Sequence, residues 1–344
     1  MQKNSLVTGI NGQDGALIAK MLLDSGQKVT GLFRRSSSDN FWRLRELGIL
    51  NRIELIEADI ESYGQLADIL GGRNFNTIYH LAGSSFTAES FRRPWHTFFV
   101  NTFAVFHLLE AVKNQSPESL VVVASSSEIF GSNLNQETDL KRKSDSIFGP
   151  TNPYGLSHLS NMQVADYYRK IYGLRIVIPI MFNHESEFRG DQFLTKKLSL
   201  GAVRLLHNPE VPILLGNLDA RKDWGSAREF MHFLLSLADL EFSGNFALGT
   251  GRLTSVREIL CEVFTYLGIE LEFIGDGLNE RVLNKSTGQV VVCVDPRNLR
   301  ARETLPFTAD PQDCLDIFGR SPAQTVLGIL PAMIEFDLKK RPRT

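Results

Sequence analysis

The chain has 344 residues, of which 43% are hydrophobic and 22% are charged, so the composition is that of a globular protein and excludes disordered and fibrous classes. The formal net charge of −2 gives no overall positive field that would attract nucleic acid. No apolar stretch approaches the roughly 18 residues of a membrane-spanning helix, and only four residues precede the first predicted strand, so we expect a soluble, cytoplasmic protein with no membrane partner.

The first half of the chain alternates β-branched runs with amphipathic segments. The runs predict strands at residues 5–8, 28–33, 52–57, 77–82, 120–124 and 174–180. The segments between them predict helices at 16–24, 63–70, 95–113 and 153–172. Such alternation predicts an α/β fold with a doubly wound parallel sheet of the Rossmann type, in which ligands bind beyond the carboxyl ends of the strands.

After residue 183 this alternation becomes less regular. Helices are predicted at 193–206, 227–240, 255–268 and 325–339, and strands at 211–215, 271–274 and 289–294. We therefore expect a dinucleotide-binding domain over 1–182, joined by a strand from about 245–250, and a smaller C-terminal substrate lobe over 183–344. Cys261, Cys293 and Cys314 show no paired spacing, so we expect neither a disulfide framework nor a metal site.

A glycine-rich loop follows the first predicted strand, with the sequence Gly9-Ile10-Asn11-Gly12-Gln13-Asp14-Gly15. Glycines at the first, fourth and seventh positions let the backbone turn tightly and approach a pyrophosphate, which the amides of the following helix would face. A glycine triplet alone is weak evidence, but its place between a strand and a helix predicts a dinucleotide site.

The ends of the next strands indicate which dinucleotide binds. The second strand leads into Arg34 and Arg35 followed by serines, where an NAD-binding protein would carry a carboxylate for the ribose 2′-hydroxyl. Two guanidiniums suit a 2′-phosphate, so NADP is favoured. Further contacts with the cofactor are predicted at the ends of the third and fourth strands, namely Asp59, Ile60, Leu81, Ala82 and Gly83.

Candidate catalytic residues follow the fifth strand and open the helix after it. Ser126 and Glu128 lie at the strand end, and Tyr154 begins the long helix, with His158 one turn later on the same face. This arrangement resembles that of the short-chain dehydrogenases, and the resemblance implies that a phenolate at Tyr154 would take the proton of a sugar hydroxyl while hydride leaves the same carbon, and that Ser126 would hydrogen-bond to that oxygen.

The motifs together resemble the GDP-mannose 4,6-dehydratase family of the extended short-chain dehydrogenases. The resemblance covers almost the whole chain. It is carried by residues 8–15, 34–37, 42–44, 125–131, 182–186 with 189–190, 193–197, and 215–219 with 223–225. Asn183-His184-Glu185-Ser186 and the segment 215–225 are far more discriminating than the glycine loop.

This resemblance implies an NADP-dependent lyase acting on a nucleotide sugar, with GDP-mannose as the expected substrate. Carbon 4 is oxidised, Glu128 removes the C5 proton, water leaves from C6, and the hydride returns to C6. Besides the loops, the implied cofactor contacts are Ser85, Tyr154, His158, His184 and Arg189. The implied nucleotide-sugar contacts are Ser85, Asn183, Lys197, Lys222, Arg300 and Glu303. The resemblance also implies a homodimer or homotetramer.

The chain departs from the family pattern at the position that follows its catalytic tyrosine by four residues. The family has a lysine, whose fixed charge lowers the pKa of the tyrosine, and this chain has His158. A neutral histidine supplies no such charge. Three outcomes stay open: a protonated His158 that acts as a poorer cation, compensation by other groups in a slow dehydratase or an enzyme for another sugar, and a paralogue that binds without turnover.

Smaller departures concern the substrate end and the start of the long helix. Lys222 replaces an arginine, Thr151-Asn152 replaces arginine and serine, and the segment around Arg300 and Glu303 matches only loosely. A different nucleotide sugar is therefore a second possibility. A reductase or epimerase is a further alternative, but a carboxylate at Glu128 favours elimination.

Overall fold

The computed structural model describes residues 2–131, 141–299 and 305–340. Within these ranges the strands are β1 Asn4–Thr8, β2 Lys28–Phe33, β3 Glu54–Glu57, β4 Thr77–His80, β5 Leu120–Val123, β6 Ser125–Ser126, β7 Lys141–Arg142, β8 Ile176–Met181, β9 Asn183–Glu185, β10 Ile213–Leu215, β11 Arg221–Ser226, β12 Gly244–Leu248, β13 Leu253–Ser255, β14 Leu271–Ile274, β15 Arg281–Asn284, β16 Val290–Val294 and β17 Thr308–Ala309. The α-helices are α1 Gln13–Asp24, α2 Trp42–Glu46, α3 Tyr63–Gly71, α4 Thr87–Arg92, α5 Pro94–Phe98, α6 Ala104–Gln115, α7 Pro153–Tyr172, α8 Leu194–Leu205, α9 Ala227–Ser236, α10 Val256–Tyr266, α11 Gln312–Phe318 and α12 Leu330–Lys339.

The chain divides into two compact units, and the first contains Met1–Phe182, Ala227–Gly249 and Asp310–Pro322. Its parallel sheet has the strand order β12-β8-β5-β4-β1-β2-β3, with β6 also paired to β8. Helices α1 and α9 pack together, as do α3 and α6. The predicted doubly wound, Rossmann-type sheet is therefore confirmed.

The central strands of this sheet are buried along their whole length. All residues of β4, β5 and β8 are buried, because helices cover both faces of a doubly wound sheet. The sequences of β5 and β8 are accordingly continuous apolar runs, whereas β4 reads Thr-Ile-Tyr-His. Since the strands are parallel, the loops after β1, β4 and β6 leave the sheet at one edge.

The second unit contains Asn183–Ser226, Thr250–Ala309 and Ala323–Thr344. It has one sheet in the order β10-β16-β15-β14 and another in the order β13-β11-β9. Helices α8, α10 and α12 pack on one another around a core that includes Leu198, Phe264 and Met333. In the same unit, the buried Lys196 pairs with Asp337 and ties α8 to α12.

Several elements differ from the sequence predictions. Helix α1 begins at Gln13, three residues before the predicted start, because the glycine loop itself enters the first helical turn. The helix predicted over 95–113 is divided by a π-helical segment, Phe99–Phe103, between α5 and α6. Strands β9, β11 and β13 are not predicted, because β9 and β13 have only three residues each and the six residues of β11 include no β-branched side chain.

The described part of the chain contains no helix that is both long enough and apolar enough to cross a membrane. Over the same residues, no group of three or more His, Cys, Asp or Glu side chains is arranged to hold a metal ion.

Candidate active site

The loop between β1 and α1 is shaped by glycines that other residues could not replace. Gly9 has a φ of +70°, and a Cβ added there would lie 2.9 Å from the Cα of Ala82. A Cβ on Gly15 would lie 2.2 Å from the carbonyl oxygen of Gly9. No side chain caps α1, since its N-cap is Gly12. This shape fits a pyrophosphate held by backbone amides at a helix N-terminus.

The end of β2 presents two exposed arginines. Within the described residues, neither Arg34 nor Arg35 makes a hydrogen bond or an ion pair. The next acidic residue, Asp39, accepts hydrogen bonds from the Phe41 amide and from Arg45, which lower the pKa of its carboxyl group. The carboxylate nearest to the two arginines in sequence is thus already engaged.

Arg43 links α2 to the glycine loop. Its Nη1 donates a hydrogen bond to the carbonyl oxygen of Asn11 at 3.1 Å. The guanidinium also lies 4.4 Å from the centre of the Trp42 ring, a cation–π arrangement. Arg43 belongs to a segment of the family pattern, but the sequence alone does not predict its hydrogen bond to the glycine loop.

The loops after β3 and β4 are held by local hydrogen bonds. Asp59 is exposed and accepts from the amide of Glu61 at 3.0 Å, and Ile60 lies beside it. After β4, the amide of Ala82, between Leu81 and Gly83, donates to the Thr8 hydroxyl at 3.1 Å. Ser85, two residues beyond Gly83, is exposed.

Ser126 and Glu128 lie together where β6 ends. Ser126 pairs with Met181 of β8, and its hydroxyl accepts the amide of Glu128 at 3.3 Å. Both side chains are buried. The Nδ2 of Asn152 donates to Oε2 of Glu128 at 2.8 Å. Glu128 is thus a buried carboxylate held by an amide that the sequence reasoning recorded only as a departure from the family.

Tyr154 and His158 stand one turn apart on α7, as the spacing predicts. Their ring centres are 4.5 Å apart and the planes meet at 79°. Burial, with a smaller contribution from nearby His80, lowers the pKa of His158 to about 4, although a hydrogen bond with the backbone of Ala124 opposes the shift. His158 is therefore neutral at neutral pH, which weighs against the outcome in which it acts as a cation.

The two ring nitrogens of His158 differ in their hydrogen bonding. Its Nδ1 is buried and has no hydrogen-bond partner among the described residues. His80, the last residue of β4, lies with its Nδ1 3.0 Å from the Thr8 hydroxyl, and burial lowers its pKa to about 4. His80 is therefore a second neutral imidazole, next to Thr8 at the start of the glycine loop, and the sequence predicted only His158.

Asn101 joins the β4 loop to α7. Its side chain accepts the amide of Ser84 at 2.7 Å and donates to the Ser157 hydroxyl at 3.0 Å. Ser157 in turn donates to the carbonyl oxygen of Tyr154 at 2.7 Å. Asn101 lies in the π-helical segment, a kind of distortion that is frequent at functional sites.

The remaining predicted site residues belong to the second unit. Arg189 forms an ion pair with Glu185 at 3.2 Å, and its guanidinium stacks 3.6 Å over the Phe193 ring. The Nζ of Lys197 donates to the carbonyl oxygen of Leu214 at 2.6 Å, and burial lowers the pKa of Lys197. Asn183 and His184 lie on β9 and Lys222 on β11. Arg300 and Glu303 lie outside the described residues.

Comparison with solved structures shows which enzymes share this fold. A UDP-glucose 4-epimerase of Thermotoga maritima has a TM-score of 0.82 at 18% identity, over 98% of this chain and 99% of that one. A dTDP-glucose 4,6-dehydratase of Bacillus anthracis has a TM-score of 0.79 at 17% identity, over 98% and 97%. At such low identity these similarities concern the fold alone.

Comparison of sequences is more specific. A GDP-mannose 4,6-dehydratase of Sinorhizobium fredii is 33% identical over 344 aligned residues, which cover 98% of this chain and 97% of the relative. One from Vibrio cholerae is 32% identical over 98% of this chain and 94% of the relative. The sequence profile described as GDP-mannose 4,6 dehydratase matches residues 6–330. This chain therefore belongs to the GDP-mannose 4,6-dehydratase family.

Proposed function

We propose that this protein is a nucleotide-sugar 4,6-dehydratase that uses NADP and converts GDP-mannose to GDP-4-keto-6-deoxymannose. The observation that carries the proposal is the buried carboxylate of Glu128, beside Ser126 and hydrogen-bonded to Asn152 at the start of the helix that bears Tyr154. A reductase or a 4-epimerase has no step that requires a carboxylate to remove a C5 proton.

The chemistry is divided among three side chains. Tyr154 takes the proton of the C4 hydroxyl, and the Ser126 hydroxyl stabilises the same oxygen by hydrogen bonding. A bound nicotinamide would supply a hydride acceptor for the oxidation at C4 and a hydride donor for the reduction at C6, and the proton that Tyr154 took would return to C5. Glu128 takes the C5 proton, which the neighbouring ketone has made acidic, and gives it to the departing C6 hydroxyl, so that one water leaves.

The residues of the first unit fit a dinucleotide. A cradle at Gly9, Gly12 and Gly15 leaves no room for a Cβ at its first and last glycine, and a backbone-lined anion site is what a pyrophosphate requires. The guanidiniums of Arg34 and Arg35 are unpaired within the part of the chain that the structure describes, and they support NADP over NAD because they would pair with the additional phosphate. The buried, unpartnered Nδ1 of His158 would accept a hydrogen bond from a ribose hydroxyl.

The nucleotide-sugar contacts are proposed for the second unit. Lys197 and Lys222 would face the diphosphate, and Asn183 would bond the sugar nucleotide. The family resemblance adds Arg300 and Glu303 to these nucleotide-sugar contacts. Ser85 of the first unit is proposed as a contact of both the cofactor and the nucleotide sugar. His184 and Arg189 are proposed for the cofactor.

The proposal is tested by incubating the purified protein with GDP-mannose and NADP and following the 4-keto-6-deoxy product by mass spectrometry. Product is expected at a low rate, because His158 supplies no cation, and Glu128→Gln is expected to abolish elimination. A complete absence of product from about pH 5.5 to about pH 9 contradicts the proposal.

Neutral His158 also supports a second candidate, a paralogue that binds both ligands without turnover. The two functions separate in the same assay, since this paralogue would bind GDP-mannose and NADP, as measured by calorimetry, while yielding no product.

We further propose a cytoplasmic homodimer or homotetramer. Exposed aromatic and aliphatic side chains lie on α4, α5, α6 and α7, of which the first three each pack on α7, and exposed apolar surface commonly marks an association surface. They are Phe91, Trp95, Phe106, Tyr167 and Ile171. Sedimentation velocity is expected to show at least a dimer that Trp95→Asp weakens, and a monomeric wild type would contradict the proposal.

A further inference from the structure

Asn152 makes two hydrogen bonds that point in different directions. Its Oδ1 accepts the amide of Gly155 at 2.8 Å and so caps the N-terminus of α7, the helix that carries Tyr154. Its Nδ2 donates to Oε2 of Glu128 at 2.8 Å. Asn152 is 8% exposed and Glu128 is 9% exposed, so little water competes for either bond.

The backbones on either side of this link are in direct contact. A Cβ added to Gly155 would lie 2.4 Å from the carbonyl oxygen of Glu128, and one added to Gly131 would lie 1.7 Å from the carbonyl oxygen of Gly149. The first turn of α7 therefore rests on the Glu128 turn with no room for a side chain between them. A side-chain bond across such a contact has a fixed geometry.

We propose that Asn152 is a positioning residue that couples Glu128 to the start of the Tyr154 helix, holding the carboxylate in one orientation and favouring its ionised form. The physical reason is that an amide N–H donates to a carboxylate but gains less from a protonated acid. The cap also fixes the orientation of the Asn152 amide. If the amide were rotated by half a turn, its NH2 group would face the backbone N–H of Gly155, and two donors would then oppose each other.

Helix α7, which packs on the Glu128 turn, carries the titratable side chains Tyr154 and His158 in its first turns. His158 is neutral, and its ring contacts that of Tyr154. The neighbours Ser126 and Ser127 carry no charge.

The catalytic role inferred for Asn152 rests on the proposed function. Its effect on the ionisation of Glu128 is tested by a measurement that needs no turnover. The test uses full-length protein labelled with 13C at the glutamate carboxyl carbons, and Glu128→Gln identifies the Glu128 signal by its loss. The midpoint of that signal's titration is then compared among the wild type, Asn152→Ala and Asn152→Asp.

The two variants distinguish the effect of the hydrogen-bond donor to Glu128 from the effect of the helix cap. Asn152→Asp keeps a capping oxygen but places a carboxylate where the amide N–H was, and Asn152→Ala removes both. We expect the Glu128 midpoint to rise by about one pH unit in Asn152→Ala and by more in Asn152→Asp, because like charge disfavours ionisation. Equal midpoints in all three proteins would overturn the proposal.

A matched control removes a cap elsewhere in the same unit. Ser62 caps α3 by accepting the amide of Gln65, and Ser62→Ala is expected to lower the melting temperature without moving the Glu128 titration. A shift in Ser62→Ala equal to that in Asn152→Ala would show general loosening and would contradict the proposal.

The catalytic readout distinguishes this inference from the proposed function. If product forms, the acid limb of the kcat/KM profile is expected to move to higher pH in Asn152→Asp, in parallel with the carbon titration. If no protein forms product, the proposed dehydratase fails, and the carboxyl titration still decides the role of Asn152.

Discussion

At the scale of single residues, the decisive feature is the uncharged imidazole one turn after Tyr154. A unit charge about 4 Å from a phenol contributes on the order of 4 kcal/mol at an effective dielectric of about 20, or about 3 pKa units. Burial lowers the pKa of His158 to about 4, so the imidazole is uncharged near neutral pH and provides none of this electrostatic stabilisation. Moderate acid therefore does not restore the charge either.

Replacing His158 with lysine is expected to raise kcat at neutral pH by at least about tenfold, because the ammonium would stabilise the Tyr154 phenolate. The matched control is His158→Gln, which is polar but uncharged and should give no gain. Both are measured by initial rates of 4-keto-6-deoxy product formation. A lysine variant that binds NADP normally yet stays as slow as the wild type would show that a missing cation is not the limitation.

At the scale of secondary structure elements, local pattern predicted the sheet and the long helix well. Strand β2 and helix α7 have the predicted bounds, because each is delimited by its own residues: Asn152 and Pro153 start α7, and Gly173 ends it in the left-handed conformation. The π-helical break at Phe99–Phe103 was missed because Asn101 takes its partners from Ser84 and Ser157, which are distant in sequence.

In the candidate site, too, features set by local sequence were predictable and features set by contacts between distant residues were not. The glycine loop and the strand-end residues Ser126 and Glu128 were predictable, because the carboxyl ends of parallel strands meet at one edge of the sheet. The roles of Asn152 and His80 were not, since each depends on a tertiary contact with a residue more than 20 positions away.

At the scale of the whole molecule, the buried histidines connect the site to stability in acid. His80 is 4% exposed at the end of β4, and burial lowers its pKa to about 4 from an ordinary value of 6.5. Between these two pH values the unfolded chain binds a proton at this side chain and the folded chain does not. Stability contributed by neutral His80 is therefore present above pH 6.5 and is lost as the pH falls toward 4.

This linkage predicts how one substitution changes acid sensitivity. Between pH 7 and pH 5, the wild type is expected to lose about 2 kcal/mol more unfolding free energy than His80→Asn, which has no proton to bind in this range. Urea denaturation at the two pH values measures this difference. The exposed His207 provides the control, since His207→Asn should keep the acid sensitivity of the wild type. Equal losses in the wild type and His80→Asn would mean that His80 takes up its proton in the folded protein, and its imidazole would then be a cation next to Thr8 at the start of the glycine loop.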